Sequence, residues 1–304
     1  AAHRGDLKAL FVLGENPMVS DPDLNHVRAA LEHCEFLVVQ DIFPTETAQL
    51  ADVVLPGTTF VEKDGTFTGT DRRIQLVHQA IEPLGDSRPD WAIIADLARR
   101  MAGAGNGAPY ASWEYSSPAA VMDEIAALTP IYGGSSYARL EGEGFLQWPV
   151  PTAEHPGTPY LHKGRFSRGL GHFTPVEFKE PAEAPDEEYP FTLTTGRIMF
   201  HYHTGSMTRR SEKLEQEVPE GYVEISPEDA DRLGLGKSEQ VRVISRRGEI
   251  ETKAWITRRV PPGTVFIPFH FAEAAANLLT NPALDPVAKI PEYKVAAVRV
   301  EKVA

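Results

Sequence analysis

Residues 7–13 read LKALFVL and stop at Gly14, residues 36–39 read FLVV, and residues 52–55 read DVVL before Pro56. Each run is too short for a core helix and ends at a turn residue, which is the pattern of a buried strand in a parallel sheet. Between the first two, Asp21-Pro22 opens a helical spacing of Leu24, Val27 and Leu31. Strand, helix and strand in this rhythm specify an open α/β sheet of nucleotide-binding type, with a ligand crevice formed by the loops beyond the strand ends. Further helices are predicted over 89–101, entered through Ser87 or Asp90, and over 118–128 behind a Ser117 cap.

From 148 to 190 the periodicity dissolves into Pro, Gly, His and Glu, the composition of an irregular surface connector. Beyond it the pattern changes to strands over 191–195, 222–225, 241–245, 250–256 and 265–268, with turns at Arg246-Arg247-Gly248 and Pro261-Pro262-Gly263. One helix is well marked: Ser226 is its N-cap, Pro227 its first residue, Asp229 reaches back, and it ends near Leu233-Gly234. Many short strands with one such helix describe a small closed β-barrel. The expected division is therefore an α/β region over 1–150, a linker over 151–188 and a barrel over 189–304.

Composition narrows the function. A chain of 304 residues, 42% hydrophobic and 24% charged, can bury a core and is long enough for two domains. It has no run of about 18 apolar residues, and residues 1–7 lack the basic and apolar regions of a signal peptide, so no membrane insertion is expected. The first residue is Ala1, not Met, and an authentic start upstream is expected. A net charge of −13 argues against nucleic acid as a partner, because such binding rests on excess Lys and Arg. The single cysteine, Cys34, excludes an internal disulfide and a four-cysteine iron–sulfur cluster built from this chain alone. It reads as a small core residue and fits a reducing, cytoplasmic setting.

Three loops carry candidate chemistry. In Gly14-Glu15-Asn16-Pro17, glycine lets backbone approach a phosphate and Asn16 offers an amide at the mouth of the sheet; a plain turn is the alternative. Gln40-Asp41 follows the second strand, where a carboxylate can accept two N–H donors of a guanine, or else cap the segment at Pro44-Thr45. Residues 62–75 (EKDGTFTGTDRRIQ) read as a hairpin or loop with an exposed basic pair, Arg72 and Arg73. The densest stretch is 194–210, TTGRIMFHYHTGSMTRR, whose hydroxyls, histidines and arginines suit an anionic, hydrogen-bond-rich ligand. His201 and His203 would share a face if extended, but no third ligand lies nearby, so this is not read as a metal site.

At these segments the sequence resembles the molybdopterin oxidoreductase family, and within it the catalytic subunit of formate dehydrogenase. The resemblance runs through LFVLGENPMVSDPD from Leu10, VVQDIFPTETAQLADVVLP from Val38, EKDGTFTGTDRRIQ from Glu62 and PDWAIIADLARRM from Pro89. It continues through the block ending HYHTGSMTRR, YVEISPEDADRLGL from Tyr222, and ANLLTNPALDPVAKIPEYKVAAVRV from Ala276. It implies a partial Rossmann-like α/β domain, interrupted in the full enzyme, followed by a double-psi-like β-barrel that caps the cofactor. The cofactor implied is bis(molybdopterin guanine dinucleotide) with molybdenum or tungsten. On this resemblance Gly14, Glu15, Asn16, Gln40 and Asp41 hold a nucleotide's phosphate and guanine. Thr195, Arg197, His201, His203, Thr204, Ser206, Met207, Asn277 and Lys294 line the pterins.

The family's iron–sulfur module and its metal-bound Cys or selenocysteine have no counterpart here, and Cys34 lies outside that motif. The chain therefore reads as a fragment or one piece of a split subunit, inactive alone. In the complete enzyme it would serve formate oxidation to CO2 beside an N-terminal catalytic portion and iron–sulfur or NAD-linked electron-transfer subunits. Two other readings share these motifs: a nitrate reductase of the same family, and a cofactor-free scaffold like the large subunit of respiratory complex I. The intact loops at 14–16, 40–41 and 194–210 argue against the scaffold.

Overall fold

A computed structural model describes residues 1–103 and 113–303. The chain forms two compact units, one of Ala1–Val54 with Glu177–Ala304 and one of Leu55–Val176. Packing thus groups the first 54 residues with the barrel, whereas the sequence pattern grouped them with the stretch that follows.

The first unit holds β1 (Ala9–Leu13), β2 (Phe36–Asp41) and the start of β3 (Val53–Pro56), in a sheet of order β1-β2-β3 with β1 and β2 parallel from Ala9↔Phe36 to Leu13↔Gln40. Helices α1 (Pro17–Ser20) and α2 (Leu24–Glu32) connect β1 to β2. The α2 cap is Asp23, whose side chain accepts the His26 N–H, two residues later than the Asp21-Pro22 start read from sequence. Val12, Leu37 and Val39 pack with Met18, Leu31 and Ala48 on one sheet face. The other face keeps Phe11, Leu13 and Phe36 exposed, contrary to strands read as fully buried: among the described residues that side is not covered at these positions.

In the second unit the basic-pair segment folds as a hairpin of β4 (Gly65–Thr68) and β5 (Arg73–Val77), which β6 (Leu146–Gln147) joins. Arg72 is not a free surface cation. Its backbone is left-handed at φ 68°, and its guanidinium donates to the Trp148, Thr158 and Pro159 carbonyls. Helices α3 (Asp90–Gly103), α4 (Pro118–Leu128) and α5 (Tyr137–Glu143) complete the unit. As expected, the Ser117 side chain caps α4 by accepting the Ala120 N–H.

The barrel is closed from six strands: β7 (Phe191–Gly196), β8 (Tyr222–Ile225), β9 (Gln240–Ser245), β10 (Glu249–Ile256), β11 (Thr264–Pro268) and β12 (Ala296–Lys302). They close in the order β10-β8-β11-β7-β12-β9. Two pairs, β10 with β8 and β11 with β7, are parallel and the rest antiparallel, so the chain crosses the barrel twice as a double-psi topology requires. Phe191, Leu193, Val223, Val243, Val265, Ile267 and Val298 fill the interior. Strand β12 was not read from sequence: its tail reads as alternation only over 298–301, and closure is a tertiary event.

Short helix α6 (Glu212–Glu217) and helix α7 (Pro227–Leu233) interrupt the strands. Around α7 the reading from sequence holds in detail. Ser226 Oγ accepts the Asp229 N–H and donates to Asp229 Oδ2, which also accepts the Gly263 N–H at 2.7 Å, and Gly234 ends the helix at φ 65°. Ser226→Ala is therefore expected to destabilise the barrel by about 1–2 kcal/mol, the usual cost of a lost N-cap, measurable as a lower urea midpoint with unchanged slope.

Candidate functional site

Strands β7 and β11 run parallel and side by side, ending at the paired residues Gly196 and Pro268. The segments that leave them, 197–207 and 269–271, therefore emerge together at one end of the barrel. The Phe269 N–H donates to Gly196 O at 3.2 Å, and the Arg197 guanidinium lies 5.5 Å over the Phe269 ring. Beside them runs the segment entering β12. Thr195 Oγ donates to Tyr293 O at 2.8 Å, and Lys294 Nζ to Thr195 O at 2.5 Å.

These segments, with the end of α1, enclose a cavity of about 310 Å³ lined by Ser20, Arg197, His203, Thr204, Phe269, Asn277, Tyr293 and Lys294. Asn277 fixes its wall: its amide donates to Val19 O at 2.8 Å and Ser20 O at 3.1 Å, joining the barrel to the end of α1. Among the described residues two cations line the cavity and no carboxylate does. Burial, and then the positive charge of Arg197, pull the Lys294 ammonium below its ordinary pKa. A site that crowds two cations at an energetic cost is one that an anion would relax. Nearby, burial pushes the Asp21 carboxyl up, and burial followed by the Asp21 charge pushes the Tyr293 phenol up to about 12, so Tyr293 stays a neutral donor.

Of the residues named from sequence, Arg197, His203, Thr204, Asn277 and Lys294 come together here, and Thr195 supports Lys294 from behind. Ser206 Oγ bonds Thr204 Oγ at 2.9 Å, while Met207 is exposed beyond the loop. His201 does not reach the cavity. Its side chain is fully buried, with Nε2 on Val218 O at 2.8 Å, Nδ1 on Thr208 Oγ at 3.2 Å, and its ring edge-on to Phe271. His203, which adopts a left-handed φ of 46°, lines the cavity, whereas His201 does not. Among the described residues no cluster of three His, Cys, Asp or Glu could hold a metal.

The loops at the ends of β1 and β2 form a second group. Gly14 has φ 62° and nothing within 4 Å of where a Cβ would stand, so its backbone is open to close approach. Glu15 beside it is exposed, whereas Asn16 is buried and spends its amide on the protein. Its Nδ2 donates to Glu46 Oε2 at 2.7 Å, and its Oδ1 accepts from the Thr47 hydroxyl at 2.7 Å and the Thr47 N–H at 3.2 Å. Gln40 is fully buried at the strand end. Asp41 Oδ1 accepts the Ile42 and Phe43 N–H groups at 2.6 and 3.4 Å, so it shapes the turn directly after β2; no helix starts at Pro44. Arg210 lies 4.3 Å over the Phe43 ring and donates to Ser206 O, tying this turn to the barrel loop. Sequence reading missed Ser20, Phe269, Tyr293 and His270; the FHF triplet at 269–271 after a strand was the available signal.

A closed barrel with crossed parallel pairs, open at one strand end onto a cationic cavity, is the build of a domain that caps an anionic cofactor. The chain belongs to the molybdopterin oxidoreductase family: residues 1–100 match the molybdopterin oxidoreductase model, and residues 191–297 match the molydopterin dinucleotide binding domain. It is 52% identical over 299 residues to F420-dependent formate dehydrogenase 1 subunit alpha of Methanococcus maripaludis, covering 98% of this chain and 43% of that one. It is 51% identical to F420-dependent formate dehydrogenase subunit alpha of Methanocaldococcus jannaschii, covering 98% and 44%. The chain thus spans less than half the length of these relatives. Acetylene hydratase from Pelobacter acetylenicus shares the fold, with a TM-score of 0.75 at 21% identity over 97% of this chain and 44% of that one.

The cofactor is bis(molybdopterin guanine dinucleotide) with molybdenum or tungsten, and the donor set fits it. Paired cations, an open glycine backbone and neutral hydroxyl and amide donors suit a pyrophosphate-bearing, heteroatom-rich ligand.

Proposed function

We propose that this chain supplies the dinucleotide-binding part of a formate dehydrogenase, with residues 1–150 and 189–304 as its cofactor-binding regions and 151–188 as the connector. The observation that carries the reading is that Arg197 and Lys294 share a cavity that no carboxylate lines among the described residues. When bound, the metal–pterin group supplies the two-electron oxidation of formate to CO2. The chain's own residues bind and orient. Arg197 and Lys294 neutralise phosphate or pterin oxygens, Thr204 and Tyr293 donate neutral hydrogen bonds, and Asn277 holds the wall. Gly14, Glu15, Gln40 and Asp41 receive the nucleotide at the sheet, with Asn16 holding that loop in shape.

A catalytic portion carrying the metal ligand and partner subunits carrying electrons onward complete the enzyme, which works in the cytoplasm. Among the described residues no helix is long and apolar enough to cross a membrane. The likeness to F420-dependent relatives favours that form of formate dehydrogenase. The test is to assemble the chain with its catalytic partner under anaerobic conditions and assay formate oxidation and nitrate reduction side by side. Formate turnover with guanine-dinucleotide pterin is expected; nitrate reduction without formate oxidation would favour the nitrate reductase reading.

Asp41→Ala probes the nucleotide end. The loss of a charge-assisted pair with the guanine is expected to weaken cofactor retention by about 1–3 kcal/mol, read as guanine nucleotide released per protein on denaturation. A lower melting temperature of cofactor-free protein with unchanged loading would show that Asp41 serves only the turn it caps.

A further inference from the structure

His270 is fully buried at the floor of the cavity loop, and neither a metal nor the cavity uses it. Both of its ring nitrogens are committed to one loop. The Ile198 N–H donates to Nε2 at 3.0 Å, and Nδ1 lies 2.5 Å from the His203 carbonyl oxygen. A backbone N–H can only donate and a carbonyl can only accept, so Nε2 must be bare and Nδ1 must carry the proton. Burial favours the same neutral ring, outweighing the bond to the His203 carbonyl, which favours the charged one; His201 and Arg197 act in the same sense as burial. The two bonds grip the loop at either end of Ile198 to His203, next to Arg197 on one side and Thr204 on the other.

The geometry points to His270 as a positioning residue that, as the neutral Nδ1–H tautomer, sets the conformation in which Arg197, His203 and Thr204 face the cofactor. This rests on the reading of the cavity as the cofactor site. His270 does not itself line the cavity; it acts through the backbone of the loop.

The ring can be dissected by side chains that keep one bond each. His270→Gln places a carboxamide oxygen near Nε2 and can still accept from Ile198, whereas His270→Asn places an amide near Nδ1 and can still donate to His203. His270→Phe fills the space and makes neither bond. In the full chain, nitrogen NMR of labelled histidine should show one neutral Nδ1–H ring at pH 7. Exchange of the Ile198 amide should speed up about tenfold in the Asn and Phe variants and change little in Gln. In the complete enzyme, pterin per protein should fall most with Phe.

An Nε2–H or charged ring at 270, or equal Ile198 exchange in Gln and Asn, would overturn the assignment. Full pterin loading in Arg197→Lys would instead remove the cavity reading, while the exchange pattern would still decide whether His270 holds the loop.

Discussion

Replacing Arg197 by Lys is expected to cost the assembled enzyme about tenfold to a hundredfold in affinity for its pterin dinucleotide, the range of one to two charge-assisted hydrogen bonds. Arg197 makes no ion pair among the described residues; its guanidinium lies 5.5 Å over the Phe269 ring, a contact that leaves its N–H groups for a ligand. A planar guanidinium fork can place two parallel donors on one phosphate or pterin oxygen pair, and an ammonium on a flexible stem cannot. Charge alone would be conserved by the substitution, so any loss reports geometry. If Arg197 were ordinary surface, its contribution would be about 0–1 kcal/mol and Lys would serve equally. The measurement is pterin and metal per protein, with formate oxidation alongside; activity and pterin should fall together while the cofactor-free chain keeps its melting temperature. Normal loading and normal turnover would remove Arg197 from the site.

Much of the fold was legible because local and global signals agreed. The apolar runs at β1 and β2, the Ser117 and Ser226 caps and the Gly234 stop each state their element in a few residues. What the sequence hid was anything decided by partners far along the chain. Strand β12 exists because it closes the barrel between β7 and β9, some 50 to 100 residues away. The roles of the two loop histidines are likewise set by what surrounds them. His201 and His203 stand two apart in one polar stretch, yet Val218, Thr208 and Phe271 hold the first in the core while the second, at a left-handed φ, stays at the cavity. Asn16 sits at the strand end where a ligand group was expected, but Glu46 and Thr47 take its amide, so it shapes the loop from within. Residue type and position showed where a site would be, and only packing separated the groups that face a ligand from those that hold them.

Gly205→Ala is expected to destabilise the first unit by about 2–4 kcal/mol, and the reason is separable into two parts. Gly205 has φ 74°, a left-handed conformation that costs an L-residue with a Cβ about 1–2 kcal/mol. The second part is contact. A Cβ here would stand 2.6 Å from the His270 carbonyl oxygen and 2.9 Å from Arg209 Cγ and Cδ. The arginine stem could move, although Glu215 and Glu273 hold its head; the carbonyl is backbone between two buried rings and has no room to yield. Gly234→Ala supplies the control, because Gly234 has a similar φ of 65° and nothing within 4 Å of its would-be Cβ, so it should show the conformational cost alone. Urea unfolding of the two variants should therefore differ by about 1–2 kcal/mol, with Gly205→Ala the weaker. The extra cost should carry a functional mark that the control lacks. Pushing the loop off His270 O displaces Thr204 and His203 next to it, so pterin loading should fall in Gly205→Ala and stay normal in Gly234→Ala. Equal destabilisation of the two variants, with equal loading, would mean that the loop does not lie against His270 as the close approach requires.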